Sequence, residues 1–369
     1  TGTDKQRESE RVAAKWEAEL REGRYQKRCR MTWEEFHLQF MENGTASIKP
    51  TTVVNYQATF RALENLLGNI YLADLTSARV TAFANELRKP YIVTTGKGKK
   101  QRTRTLTRSE ASVARHLRHL KAAARWAHRQ GLLQKLPTFD MPNKASGASR
   151  MKGRPITGEE FDRMLAATPK VVGEAAAESW QLLLRGLWAS GLRLGEAMNL
   201  RWDRQPGGVS VILNGQKSVL AFDAGSQKSG KVQLVPLAPE AVQLLEPIQR
   251  KAGKVFTPLA ENGRPIGQGM HLASKIVCQI GRKAGVIVDV ERGKFASAHD
   301  LRRAFGQRWS RRVMPPVLKE LMRHASIETT MSFYVGQNAE STSAELWQAL
   351  GNILGNTPKP EPCESIKNP

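Results

Sequence analysis

The sequence predicts a mainly helical α+β chain of two domains, with one small antiparallel sheet in the second. Three observations carry that expectation. The first is size: 369 residues, 40% of them hydrophobic, exceed one ordinary domain and suffice for two cores. The second is periodicity. Apolar residues recur at three- and four-residue intervals along most of the chain, as amphipathic helices require, and Thr-x-x-Glu pairs introduce several of these stretches. The third is a group of short runs over 209–213, 219–222 and 232–236, which read as strands of a single antiparallel sheet.

Taken in order, residues 1–30 are charged in both signs, with Val12, Trp16 and Leu20 spaced for one surface helix or arm. A helical domain follows over 31–136. Thr32 and Glu35 form a capping box, and Trp33, Phe36 and Phe40 continue at helical spacing. Pro50 opens a second helix through Tyr56, Phe60, Leu63 and Leu67, which Gly68 closes. Leu75 and Thr76 start a third, through Val80, Phe83 and Leu87. Residues 96–105 read as a basic loop. Thr107 and Glu110 are spaced to cap a fourth helix, whose stripe is Val113, Leu117, Leu120, Ala124 and Ala127 and which ends at Gly131.

Over 137–153 Pro, Gly and Ser accumulate and periodicity vanishes, so this stretch is the expected linker. The second domain is expected over 154–356. It opens with a Thr157–Glu160 capping box and runs through a long helix across 180–190, a glycine turn at Gly191 and further helix over 196–200. The three strands come next, and helices resume at Pro239. A last helix is expected over 339–354, with Leu346, Leu350 and Ile353 on one side. The tail over 357–369, rich in Pro, Lys and Glu, reads as disordered.

Charge narrows the class. Lys and Arg number 57 against 34 acids, a formal net charge of +23. That excess is poorly suited to a neutral small molecule and well suited to a polyanion, since cationic side chains release counterions when they neutralise phosphates. An anionic membrane surface is the competing reading, but no basic amphipathic anchor stands out. The charge is also segregated. Between Arg88 and Phe139 the only acid is Glu110, facing Lys97, Lys99, Lys100, Arg102, Arg104 and Arg108, then Arg115, Arg118, Lys121, Arg125 and Arg129. A basic loop feeding a basic helix face suits phosphate tracking; a solvated loop is the plainer alternative. The three cysteines, Cys29, Cys278 and Cys363, are odd in number and far apart, suggesting neither a disulfide framework nor a zinc site. No signal-peptide pattern and no bilayer-length apolar run is visible, so a cytoplasmic location is expected.

The densest cluster of chemistry-bearing residues runs from His299 to Tyr334. It reads H-D-L-R-R-A-F-G and then L-M-R-H-A-S-I-E-T-T-M-S-F-Y. Ala304, Phe305 and Trp309 suit one buried helix face; Leu318, Leu321 and Met322 suit the next. Pro315 and Pro316 mark the break between the two helices, and 327–333 forms a short helical turn ending at Tyr334. Arg302 and Arg303 both have the chemistry to grip a phosphate. Upstream, A-S-G-L-R-L-G-E-A-M-N-L-R-W-D puts Arg193 on a glycine-introduced turn. Taken singly, each element is weak. Arg193 alone reads more readily as an ion-pair partner, His299 as a satisfied helix-end histidine and Tyr334 as a half-buried core residue.

In this order, however, the elements resemble the tyrosine recombinases, or phage-type integrases. The resemblance rests on an S-G-L-R-x-x-E box, a lysine before V-P-L in Q-K-S-G-K-V-Q-L-V-P-L, an H-x-L-R box, an (L/M)-x-H box and a tyrosine shortly after T-T. It implies a helical core-binding domain over 31–136 and a mixed α/β catalytic domain over 154–356. Arg193 and Arg302 would hold the scissile phosphate, Lys228 would be the acid, His299 and His324 would complete the pocket, and Tyr334 would be the nucleophile. Gln233 stands where many members have arginine, which leaves Lys231 a rival to Lys228. Tyr334 follows His324 by ten positions, and its neighbour Phe333 has no hydroxyl to compete.

The resemblance further implies cleavage and rejoining of double-stranded DNA through a 3′-phosphotyrosine link, without metal, ATP or any other cofactor. It implies a homotetramer on two DNA sites, an accessory directionality factor, a mobile element as the setting and a nucleoid-associated location. The residue types suit this chemistry. Guanidinium forks neutralise a phosphodiester and its more highly charged transition state. A tyrosine hydroxyl, with a pKa near about 10, needs a cationic pocket and a base to ionise. A topoisomerase of type IB shares that chemistry and is the related alternative; a DNA-binding protein without catalysis is the other.

Overall fold

The computed structural model describes residues 4–21, 30–96, 101–142, 153–226, 230–267 and 269–334. The chain divides into two compact units, Thr1–Ala148 and Ser149–Pro369. The first is helical around one hairpin. Helix α1 (Gln6–Arg21) is largely exposed, Trp16 included. Helix α2 (Trp33–Gln39) starts on the expected capping box: the Thr32 hydroxyl accepts from the Glu35 N–H at 3.3 Å, and the Glu35 carboxylate accepts from the Thr32 N–H at 2.7 Å. Helix α3 (Pro50–Leu67) and helix α4 (Ser77–Arg88) follow. The core is aromatic. Trp33, Phe36, Phe60 and Phe83 are fully buried, with the Trp33 and Phe60 rings 4.8 Å apart.

The last part of the stretch expected as a basic loop, 102–105, is strand instead. Strand β1 (Tyr91–Thr95) and strand β2 (Arg102–Leu106) pair antiparallel, Tyr91 opposite Leu106 and Thr95 opposite Arg102. Threonine, valine and isoleucine in Y-I-V-T-T and threonine in R-T-R-T-L favour extended backbone, and this propensity outweighs the loop-like charge. Lys97, Lys99 and Lys100 lie outside the described residues. Helix α5 (Glu110–Arg129) begins two residues later than a Thr107 cap would require. Its cap is Ser109, whose hydroxyl accepts from the Ser112 N–H at 3.3 Å. Glu110 instead takes a two-pronged bond from Arg88, at 2.9 and 3.0 Å.

The buried stripe of α5 contains the expected apolar residues and, among them, His116. The Thr59 hydroxyl donates to the Asn55 carbonyl at 3.0 Å, leaving its oxygen to accept from His116 Nδ1 at 3.0 Å.

The second unit is built on helix α8. Helix α6 (Gly158–Ala167), with the expected Thr157–Glu160 box, and the short helix α7 (Pro169–Val172) lead into α8 (Glu174–Ser190). Trp180, Leu183, Leu184 and Leu187 of α8 are fully buried. Helix α9 (Leu194–Met198) stops short of the expected 196–200 span, because strand β3 begins at once (Leu200–Arg201). Strand β4 (Val209–Ile212), strand β5 (Val219–Phe222) and strand β6 (Gln233–Pro236) complete a sheet of order β3-β4-β5-β6. The β4, β5 and β6 pairings are antiparallel as expected, but β3 runs parallel to β4. The sheet is therefore four-stranded and mixed; a two-residue strand is too short to show an alternating pattern.

Helix α10 (Pro239–Leu245), helix α11 (Met270–Lys283) and a small hairpin of β7 (Ile287–Asp289) and β8 (Lys294–Phe295) lead to helix α12 (Ala298–Ser310). Both α10 and α12 pack on α8. Helix α13 (Pro315–Met322) starts on its prolines, and α14 (Ile327–Met331) is a single short helix. Phe305, Leu318, Met322 and Phe333 form a small second core there. The helix expected over 339–354 and the tail from Thr357 lie outside the described residues. No described helix is long and apolar enough to cross a membrane.

Burial, then the charges of Arg115, Arg108 and His119, hold the His116 pKa down to about 4. An unfolded histidine takes its proton near about 6.5. Between those values the unfolded chain binds a proton that the folded unit refuses, so stability falls as pH drops through this window. Replacing His116 with Gln, which keeps a donor for Thr59 but does not titrate, should make the fall in melting temperature between pH 7 and pH 5 shallower than in the parent. Parallel curves would show that His116 does not set the acid limit.

Candidate active site

Arg193 enters the site through a backbone device. Gly191 ends α8 in the left-handed conformation, at φ 63°, which favours glycine. A Cβ there would lie 2.4 Å from the Phe305 ring, so the helix junction also needs the missing side chain. Two residues on, Arg193 caps α9. Its N–H donates to Glu196 Oε2 and its guanidinium to Glu196 Oε1, both at 2.9 Å. The Arg193 side chain stays about half exposed, while that of Glu196 is mostly covered. Burial pushes the Glu196 pKa up. The charge of Arg323, the Arg193 N–H and the Arg193 charge outweigh it, leaving the carboxyl below its ordinary range.

Arg302, on α12, is buried. Its two terminal nitrogens donate to the backbone carbonyls of Gly191 and Met322. Burial first, then the charges of Arg193 and Arg323, lowers its pKa to about 9, so it remains a cation at neutral pH. Arg303, the other candidate to grip a phosphate, is committed elsewhere. It pairs with Asp300, which is fully buried and also caps α12 by accepting from the Ser297 N–H at 3.0 Å and hydroxyl at 2.6 Å. Lys294 lies 3.7 Å from the same carboxylate. Arg303 is thus a structural partner of a buried acid.

The two histidines are neutral at pH 7. Partial burial and then the charges of Arg303 and Arg302 lower the His299 pKa, although the residue as a whole stays exposed. Burial and then Arg302 and Arg193 bring that of His324 to about 4. His324 Nδ1 is 3.0 Å from the Thr330 hydroxyl, and its ring stacks on Phe333 at 5.9 Å. Phe333 in turn has its seat on α12, where a Cβ on Gly306 would meet its ring at 2.7 Å. The Tyr334 hydroxyl donates to the Val313 carbonyl at 2.7 Å, and burial raises its pKa.

Arg193, Arg302 and His324 therefore share one electrostatic environment, and His299 is coupled to it through Arg302 and His324. Tyr334 spends its hydroxyl on the α12–α13 connection. Lys228 lies outside the described residues; Lys231, its rival, is exposed. Sequence reasoning missed the parts played by Asp300, Thr330 and Arg323. A spacing of three from Ser297 to Asp300 was the available signal for the first, and none marked the other two. Among the described residues no group of three His, Cys, Asp or Glu could hold a metal ion.

The basic face of the first unit is in part a surface and in part a set of structural contacts. Arg104, Arg115, Arg118, Arg125 and Arg129 are exposed, the last four along one side of α5. Arg108 instead lies 4.2 Å over the Tyr91 ring and donates to the Leu87 carbonyl at 3.3 Å.

Residues 154–341 match the model of the phage integrase family, and residues 34–141 match that of the phage integrase SAM-like domain. No curated protein matches the chain. Among solved structures, a lambda integrase fragment, crystallised as a dimer on a COC′ core site, is similar at TM-score 0.59 and 17% identity, over 84% of this chain and 98% of that one. The Tn1549 transposon integrase in complex with a circular intermediate DNA is similar at TM-score 0.57 and 17% identity, over 86% and 99%. A lambda integrase tetramer bound to a Holliday junction is similar at 0.58 and 17%, over 90% and 87%. At these identities the structural likeness establishes the fold; the family models establish the kinship.

Replacing Asp300 with Asn should destabilise the protein by about 3–5 kcal/mol, because it leaves the buried Arg303 cation without its counter-charge. Urea unfolding measures this. Adding Arg303→Met to the same variant should recover much of the loss; a double variant as unstable as the single would show that the cap, not the ion pair, matters.

Proposed function

This chain belongs to the phage integrase family and is a tyrosine recombinase, an enzyme of site-specific recombination; from that premise we propose which of its residues act, and how. Tyr334 attacks the scissile phosphorus, forming a 3′-phosphotyrosyl bond as the bond to the 5′ oxygen breaks. The leaving oxygen takes a proton from Lys228. In the reverse step a 5′ hydroxyl attacks the phosphotyrosine and the phenolate leaves. Each step exchanges one phosphate ester for another, so neither consumes ATP. Arg193 and Arg302 hold the non-bridging oxygens and neutralise the charge that grows in the transition state. His324 and His299, neutral at pH 7, are in the protonation state that can accept the Tyr334 proton.

The observation that carries this reading is the gathering of Arg193, Arg302 and His324: the charge of Arg193 bears on Arg302, and both charges bear on His324. Guanidiniums are not gathered against one another for stability; they are gathered for an anion. Tyr334 must leave the Val313 carbonyl to react. Arg104, Arg115, Arg118 and Arg125, with Lys97, Lys99, Lys100 and Arg102, track the DNA backbone. The working assembly is a homotetramer on two duplex sites, a reading supported by the tetrameric state of the similar lambda integrase on a Holliday junction. The protein acts in the cytoplasm at the nucleoid, integrating or excising a mobile element, and an accessory protein sets the direction.

Tyr334→Phe should abolish covalent attachment to a nicked suicide duplex while leaving DNA affinity within about twofold. Losing the bond to Val313 should cost only about 1 kcal/mol of stability. Denaturing electrophoresis and mass spectrometry of the adduct are the readout. A denaturant-resistant complex from this variant, or an adduct on another residue, would sink the assignment.

Lys228→Ala should slow cleavage of ordinary DNA by about 10²–10⁴-fold. It should recover on a substrate with a 5′-bridging sulfur, which leaves without a proton. Recovery by Lys231→Ala instead would transfer the role to Lys231.

A further inference from the structure

Arg323 breaks two local rules at once. At φ 49° and ψ 50° it lies in the left-handed region, and it is the one non-glycine residue with positive φ among those described. That conformation is strained for an arginine and natural for a glycine. The side chain is also nine-tenths buried. Its NH2 donates to Glu196 Oε1 at 3.0 Å, and its guanidinium carbon lies 3.4 Å over the Phe222 ring. The Nε and NH1 donors are buried with no acceptor among the described residues. Buried donors of a cation are normally satisfied, so two open ones on one side chain call for an explanation.

The neighbours supply it. Arg193 and Arg323 share a single oxygen of Glu196, and each of them bears on Arg302. Three guanidiniums thus gather around one carboxylate, an excess of two positive charges. A phosphodiester brings one negative charge, and the transition state of its displacement gathers a second. Glu196 and Phe222 fix the plane of the Arg323 guanidinium, which leaves its remaining donors oriented in advance.

We infer that Arg323 is a third phosphate-binding arginine of this active site, with Nε and NH1 donating to a non-bridging oxygen of the scissile phosphodiester. The inference rests on the assignment of Arg193 and Arg302 to the same phosphate. Burial in the DNA-free protein does not set Arg323 apart, because Arg302 is only 3% exposed. The strained backbone then has a purpose: it directs a side chain into the pocket from the residue between Met322 and His324.

The test compares two nicked suicide duplexes carrying the mapped recombination site. One has an ordinary scissile phosphodiester; the other has a methylphosphonate there, with one charged oxygen replaced by a neutral methyl. Arg323→Gly accepts the backbone conformation, and a melting curve checks that it folds. On the ordinary duplex it should form the covalent adduct about 10²-fold more slowly than the parent. On the methylphosphonate that deficit should shrink to about threefold, as with Arg193→Ala run alongside, because less charge needs neutralising. Arg323→Lys, which keeps a cation but loses the fork, should show the same pattern with a smaller deficit, and it stands in if the glycine variant is unstable. A parental rate from Arg323→Gly would overturn the inference. So would an equal deficit on both duplexes while Arg193→Ala recovers, since that is the signature of a packing residue. If the parent forms no adduct at all, the reading of the whole site fails first and takes this one with it.

Discussion

One buried cation organises the catalytic unit. The guanidinium of Arg302 donates to the carbonyls of Gly191 and Met322, at the C-terminal ends of α8 and α13. Terminal carbonyls have no partner within their own helix and carry partial negative charge. A cation taken out of water needs such partners. A single side chain on α12 therefore binds two helix ends to a third helix. The register that follows is strict. Arg193 stands two residues beyond Gly191, and Arg323 and His324 stand immediately beyond Met322. Boxes more than a hundred residues apart in the chain meet because each begins at a carbonyl held by the same guanidinium.

Much of this was legible in the sequence. Helices with a clear apolar stripe and a start signal, such as α2 and α6 with their capping boxes and α3 with its proline, follow directly from side-chain spacing, and the boxes around Arg193, His299, His324 and Tyr334 pointed to the family. What was not legible depends on partners distant in sequence. Ser109 caps α5 in place of Thr107 because Glu110 is drawn to Arg88 across the hairpin. The short strand β3 exists only by virtue of β4 beside it. Arg302 and Arg303 have the same chemistry, and only the H-x-L-R box favoured the first; the buried Asp300 that commits Arg303 to a structural role is visible only in the fold. Arg323 occupied an unspecified position of its box, and only its backbone conformation and its two open donors single it out.

Helix α5 condenses the design of the first unit. Its inward face joins the aromatic core through Val113, Leu117, Leu120 and the small alanines, while four arginines spaced by three, seven and four residues line the opposite side. The buried His116 sits beneath that basic ridge, and the ridge itself helps to keep it neutral. Core chemistry and surface charge are coupled there: an anion drawn to the ridge relaxes the repulsion that a proton on the core histidine would meet.

Phe333 and Tyr334 are consecutive, and they face different duties. The ring of Phe333 sits in a seat that exists because Gly306 lacks a side chain; even one carbon there would meet it. The constraint at position 306 is therefore steric and independent of polarity or charge. A methyl group at 306 would displace the ring and carry with it the adjoining Tyr334, the proposed nucleophile. The accuracy of a covalent reaction on DNA is in this sense inherited through a hydrogen atom.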